Sequence, residues 1–577
     1  MFYFNLLSFN FLVLTVLTFL AVIVVFLIWC YYTNRGSYIF EEGKNSRTLV
    51  VILHGYQHTP HNLDSLAKEV RKLLPEADIF RPYYSSWLLS ETDPIQLAYT
   101  LKDDIADYFN KKNYEKVILI GHSSGSVIIR KAYLFALGIQ DDVPIPSFEY
   151  PQPWTTKVER IITLAGINRG FDYSKKPRKM NRAIYWSCRS GLLFGEITGR
   201  AQFIRSFQRG FPFIANLRVQ WIRLAVDERF DLPPTIQLIG WRDDVVTVED
   251  NYDLASDRRF CNLRVPDAGH ASIIKLDDLQ YGASRKSQFQ YAIATPIGEL
   301  NTQESLQKEP PSDLVVILQH GIRETTTLWR LKLKAVIEQE AKQLDIKAKV
   351  ITPGYGYFPM ARFLLYRARQ KNVRLFMDDY TEALAKNPKA EIHFVGHSNG
   401  TYLLAHALKN YATFNVNKVV LAGSVVRRDF PWDEYHERGR IEKIRNDVAT
   451  RDWVVGIFPR FLEILKDDVG SAGHNGFIDN IAQQNSYPGY FYGDHGAAIQ
   501  KKYHSSIAHF ILTGNNIEIK LAEKQNGFVV LLSKLSILVL LIIISTIGWI
   551  GWLIVGHLGW ISLAAYLAFL MVLLYFI

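Results

Sequence analysis

Residues 117–125 read Val-Ile-Leu-Ile-Gly-His-Ser-Ser-Gly, and residues 391–400 read Glu-Ile-His-Phe-Val-Gly-His-Ser-Asn-Gly. Each is a β-rich apolar run that closes in Gly-His-Ser-x-Gly and leads into a helical pattern, over 126–137 and 401–410. The spacing has a physical reason. A nucleophile at a sharp strand-to-helix turn sits on strained backbone, and glycine on either side lets strand and helix approach closely. The hydroxyl then stands above the sheet, at a helix N-terminus that favours developing negative charge.

Working outward, the same order of elements surrounds both turns. Upstream lie Thr-Leu-Val-Val-Ile-Leu-His-Gly at 48–55 and Asp-Leu-Val-Val-Ile-Leu-Gln-His-Gly at 313–321. Downstream lie the runs 158–166 and 418–423, each ending in Leu-Ala-Gly. Apolar runs alternating with amphipathic helices predict α/β architecture, with mostly parallel sheets covered by helices on both faces. Two tandem domains follow, 47–294 and 313–515, joined by a polar linker at 295–312 that ends in Pro-Pro-Ser.

A serine alone is a poor nucleophile and needs a base and an orienting acid. Hydrolases built on such a turn place the acid and then the histidine further along the chain, each after a late strand. In the first domain the run 235–240 leads into Asp243 and Asp244, and 262–265 leads toward His270. The expected triad is Ser123, Asp243 and His270, with Asp244 as the rival acid. In the second domain the expected set is Ser398, Asp452 and His495; Asp447 is the alternative acid and His474 the alternative base. His495 is preferred because it follows the strand-like run 487–492 and precedes a helix. The backbone N–H groups of Ser124 and Asn399 are expected as oxyanion donors, with second donors from Tyr56 and Ile322. His54 fits a structural or oxyanion-loop role better than that of base.

These motifs resemble the α/β-hydrolase fold. Gly-His-Ser-x-Gly is the form common in lipases and serine esterases, and Val51-Ile-Leu-His-Gly55 with Leu164-Ala-Gly-Ile-Asn-Arg169 is similar to bacterial triacylglycerol-lipase-like and serine esterase families. The resemblance covers nearly all of 47–290 and, more loosely, 313–513. It implies acyl transfer to water through an acyl-serine intermediate, with no cofactor and no metal. Gln319 before the second His-Gly departs from the pattern.

Between 171 and 224, where this fold carries a lid, eleven Lys and Arg stand against Asp172 and Glu196, a charge of +9 in a chain of net +10. Aromatic residues interleave with them. A basic aromatic cap fits anionic headgroups and a lipid-like acyl substrate; a cap with a solvated basic face and an aromatic core fits the same composition. No nucleic-acid motif accompanies the charge.

The ends of the chain read as membrane segments. Residues 11–32 are apolar up to the first charge at Arg35, without the basic flank and cleavage site of a secretory signal. Residues 535–577 carry no formal charge and are long enough for a hairpin of two spans turning at Gly556-His-Leu-Gly559. Three spans result. Arg35, Lys44 and Arg47 after the first, with Lys520, Lys524 and Lys534 before the second, predict cytoplasmic hydrolase domains. Three cysteines and no Cys-x-x-Cys exclude a disulfide framework and a cysteine-ligated zinc site. The expected function is a membrane-anchored serine hydrolase acting on carboxylic, including lipid, esters, with membrane lipids as partners and no nucleic acid; the oligomeric state is open. A non-catalytic scaffold and a serine acyltransferase are the competing readings.

Overall fold

The computed structural model describes residues 34–140, 151–173, 176, 179–247, 260–300, 312–323 and 328–576, with 18, 21, 25, 28, 31 and 32. The N-terminal anchor expected at 11–32 therefore lies almost wholly outside the described residues, as does most of the linker.

The chain divides into two compact units, Met1–Lys308 and Glu309–Ile577. In the first, seven strands form one sheet: β1 (Ile39–Glu41), β2 (Thr48–Leu53), β3 (Asp78–Arg81), β4 (Lys116–His122), β5 (Val158–Leu164), β6 (Thr235–Gly240) and β7 (Phe260–Val265). Their order is β1-β3-β2-β4-β5-β6-β7, and all neighbours are parallel except β1 on β3. Strands such as Leu-Val-Val-Ile-Leu are buried on both faces, which is why they read as continuous rather than alternating apolar runs. Val50, Ile52, Ile118 and Ile120 pack under the helices Asp64–Leu73 and Gly282–Ala294. The helix Ser124–Ala136 packs against Pro94–Lys112 and Pro212–Val226.

The second unit has a five-stranded parallel sheet of β8 (Leu314–Gln319), β9 (Ala348–Ile351), β10 (Glu391–His397), β11 (Val416–Ala422) and β12 (Ile441–Asp447), in the order β12-β11-β10-β8-β9. Two mostly parallel sheets flanked by helices agree with the α/β architecture expected from the sequence. Two details differ from the sequence reading. The strand expected at 487–492 is reduced to two isolated bridges, Phe491 to Ala449 and Tyr490 to Ala522, because the segment pairs with loops rather than a strand edge. Residues beyond 515 remain attached to the unit: Ile519 and Leu521 pack against a cluster containing Phe491 and Tyr503, and Tyr490 and Ala522 exchange two backbone hydrogen bonds.

One described helix, Ser536–His557, is long and apolar enough to cross a membrane; Ser562–Leu573 is apolar but shorter. Tyr566 Oη donates to the Ile547 carbonyl at 3.2 Å, and Leu563 and Tyr566 lie against Gly551. Nineteen residues of straight helix would span about 28 Å, so the helical stretch Ser536–Phe576 is not one straight rod.

Candidate active site

Ser123 stands between β4 and its helix with φ 53° and ψ −122°, and Ser398 between β10 and the helix Asn399–Asn410 with φ 53° and ψ −123°. Non-glycine residues avoid such conformations unless the surrounding structure enforces them. The enforcement is visible at the flanking glycines. A Cβ on Gly125 would lie 2.6 Å from the Leu53 and His54 carbonyl oxygens, and one on Gly400 would lie 2.6 Å from that of Gln319. Strand and helix touch where glycine is required.

In the first unit the loops after β6 and β7 bring the acid and base to this turn. His270 Nε2 is 2.8 Å from Ser123 Oγ, and His270 Nδ1 is 3.0 Å from Asp243 Oδ2. The other Asp243 oxygen accepts from the Val245 and Val246 N–H groups at 2.9 and 2.8 Å, which fixes the carboxylate. With Asp243 Oδ2 accepting, Nδ1 carries the proton and Nε2 is left to accept from the serine hydroxyl. Burial works against the imidazolium, but the charge and hydrogen bond of Asp243, helped by Asp244, outweigh it and raise His270 above its ordinary value. Asp244, the rival acid, instead accepts from the His270 backbone N–H at 3.4 Å. All three triad side chains are buried.

In the second unit His495 Nδ1 is 2.9 Å from Asp452 Oδ2, while Asp452 Oδ1 caps the helix Trp453–Ile464 by accepting from the Val455 N–H at 3.0 Å. The His495 ring lies over Gly423, and a Cβ on Gly321 would meet Ser398 Cβ at 2.7 Å. The geometry joins His495 to its acid, with no described hydrogen bond from His495 to Ser398. Asp447, the alternative acid, is consumed elsewhere: it is fully buried in an ion pair with Arg445 at 2.9 Å. His474 is buried on the short helix Ala472–Asn475, and burial lowers its pKa.

The expected oxyanion positions fall beside the nucleophiles. Ser124 and Asn399 open their helices, Tyr56 lines the Ser123 cavity, and Ile322 follows the glycine that touches Ser398. That cavity has a volume of about 270 Å³ and a mainly apolar wall that includes Ile167, Phe171, Tyr173, Met180, Ile204 and Phe207. A larger cavity of about 800 Å³ lies at the opposite strand ends, near Val158, Pro234 and Cys261, and holds no nucleophile–base pair.

Two paired devices were not foreseen from sequence. The histidine before each serine reaches the backbone of the base: His122 Nε2 donates to the His270 carbonyl at 2.9 Å, and His397 Nε2 to the His495 carbonyl at 3.3 Å. Burial keeps both imidazoles neutral by lowering their pKa, that of His397 to about 3. The histidine before each oxyanion glycine is covered by a tyrosine. Tyr84 stacks on His54 with centroids 4.0 Å apart and donates to its carbonyl; Tyr355 stacks on His320 at 4.2 Å and donates to its carbonyl at 2.9 Å. The His-Ser recurrence was a visible signal for the first device. The tyrosines come from loops after β3 and β9, distant in sequence, and left none.

The basic, aromatic stretch expected as a lid holds the helices Arg182–Thr198, Gln202–Ser206 and Pro212–Val226. Phe203, Phe207, Phe213 and Trp221 are buried, as is Arg218, whereas Trp186, Leu193, Phe194 and Ile197 are exposed on the first helix. Lys175 and Arg178 lie outside the described residues.

No family model matches the chain, and no curated protein does. Among solved structures, a lipase-esterase related protein from Clostridium acetobutylicum is similar at 14% identity over 44% of this chain and 98% of that one, with a TM-score of 0.25. The lipase BlEst2 of Bacillus licheniformis, in its propeptide form, is similar at 16% identity over 48% and 56%, TM-score 0.30. MGS-MChE2, an α/β-hydrolase enzyme from a lagoon-sediment metagenome of Mar Chica, Morocco, is similar at 17% identity over 42% and 90%, TM-score 0.25.

Proposed function

We propose that the protein is a membrane-anchored serine hydrolase that cleaves carboxylic esters through an acyl-serine intermediate. The observation that carries this reading is the connected chain Asp243–His270–Ser123 on a strained turn. His270 takes the serine proton as Oγ attacks the ester carbonyl, and Asp243 stabilises the imidazolium that forms. The N–H groups of Ser124 and Tyr56 receive the developing oxyanion, and the imidazolium then returns its proton to the leaving alkoxide. Water deprotonated by His270 releases the acid. The apolar cavity, just under the ~300 Å³ at which small-molecule sites begin, favours a modest acyl group. The hydrolase domains are 47–294 and 313–515, anchored by three spans with both domains on the cytoplasmic side. Ser398, Asp452 and His495 form the second site, with Asn399 and Ile322 as its oxyanion donors.

A fluorophosphonate probe tests both sites. Labelling of Ser123 should disappear in Ser123→Ala and persist at Ser398, and the reverse should hold for Ser398→Ala. Folded wild-type protein labelled at neither serine would leave the scaffold reading.

A further inference from the structure

We infer that the second unit lies with its catalytic loops against the lipid bilayer surface, so that Ser398 meets esters held in the membrane plane. The substrate half of this inference rests on the hydrolase reading above; the docking half does not. Its basis is the way the chain leaves the unit.

Before the membrane-length helix begins at Ser536, residues 521–526 are stitched to the loops that carry the acid and the base. The Asn526 N–H donates to the Thr450 carbonyl at 2.9 Å, two residues before Asp452. Gln525 Nε2 donates to the His474 carbonyl at 2.8 Å and to that of Ala449 at 3.3 Å. Ala522 exchanges backbone hydrogen bonds of 2.9 and 2.8 Å with Tyr490, five residues before His495, and Tyr492 Oη donates to the Leu521 carbonyl at 3.3 Å. From Asn526 to Ser536 is ten residues, about 15 Å of helix. The catalytic loops are therefore held within that reach of the bilayer boundary.

The surface between them is built for an interface. The helix Gly527–Lys534 exposes Phe528 and Leu531 one turn apart. The helix Trp453–Ile464, whose N-cap is Asp452, packs on both Gly527–Lys534 and the apolar C-terminal helix, and exposes Trp453 at 55%. A third segment, Met360–Phe363, also packs on the C-terminal helix and runs into Leu365 and Tyr366, exposed at 60% and 55%. Large apolar side chains gathered on adjoining segments and continuous with a membrane-length helix mark a lipid contact, and Trp and Tyr suit the headgroup level. Exposed Arg362, Lys466, Lys524 and Lys534 edge these segments, against Glu523, and complement anionic headgroups.

The test places a photoreactive benzophenone side chain at Leu365 or Phe528, and at Lys342 as an exposed control on another helix. The full-length protein is carried in nanodiscs of phosphatidylcholine with one-fifth phosphatidylserine and irradiated. Mass spectrometry should find phospholipid adducts about tenfold more often at Leu365 and Phe528 than at Lys342, as expected for side chains at the lipid interface. Adduct frequencies equal to the control, or protein–protein adducts in place of lipid, would overturn the docking. For the substrate half, a long-chain fluorophosphonate dissolved in the bilayer should label Ser398 at least about tenfold faster than a short soluble one at equal bulk concentration, the gain that concentrating a reactant in the plane provides. Equal rates overturn the in-plane substrate while leaving the hydrolase reading intact. Labelling by neither probe overturns activity at this site and leaves the docking to stand on the lipid adducts.

Discussion

Replacing Asp243 by Asn in a Ser398→Ala background isolates the electrostatic role of the first acid. In the wild type the Asp243 carboxylate does two things to His270: it holds the Nδ1 proton at 3.0 Å and offsets burial, raising the pKa. The base works only when neutral, so labelling of Ser123 should rise with pH through a midpoint above that of an ordinary histidine. Asparagine removes the countercharge while burial remains. The imidazolium is then disfavoured, and the midpoint should fall below the ordinary value. The tautomer is also lost, because an amide can donate to Nδ1 and leave the proton on Nε2, facing the serine. The analogous loss elsewhere costs about 10⁴ in rate, or about 5.5 kcal/mol of barrier. Stopped-flow labelling from pH 5 to 9 measures rate and midpoint together. Asp244→Asn should cost far less, on the order of tenfold, since Asp244 accepts from the His270 backbone N–H at a long 3.4 Å and acts on the ring only through its charge. An Asp243→Asn midpoint unchanged from wild type, or a larger loss in Asp244→Asn, would refute the assignment.

Further outcomes follow from the same geometry. Gly125→Ala and Gly400→Ala each drive a methyl to 2.6 Å from a backbone carbonyl and should destabilise their units by about 1–3 kcal/mol or more, read as a lower thermal midpoint in detergent. Asp447→Asn breaks the fully buried pair with Arg445 and should cost about 3–5 kcal/mol of stability, while the folded fraction still labels at Ser398. Asp452→Asn should show the opposite split, with labelling lost and less stability surrendered. His122→Phe keeps the ring but removes the donor to the His270 carbonyl, so the base loop shifts and the Ser123 labelling rate should fall by up to about 10²; an unchanged rate would remove His122 from any positioning role.

What the sequence by itself determined was the pair of nucleophile turns and their sheets. Gly-His-Ser-x-Gly after a β-rich run is a local constraint: the glycines, the turn and the strand are neighbours in the chain, and their packing demands can be read there. The choice of Asp243 over Asp244 was open at that level, because adjacent residues share composition and spacing. Only the tertiary structure separates them: β6 and β7, paired side by side, aim the Asp243 carboxylate at Nδ1 and that of Asp244 at a backbone N–H. The same holds for Asp447: it shares a face of β12 with Arg445, two residues before it, and that face is buried where Arg445 reaches Ser506 of the helix His504–Thr513. Tyr84 and Tyr355 over the oxyanion-loop histidines, and the stitching of residues 521–526 to the Asp452 and His495 loops, join segments tens of residues apart. Contacts of that kind exist only once the sheet has set where each loop begins.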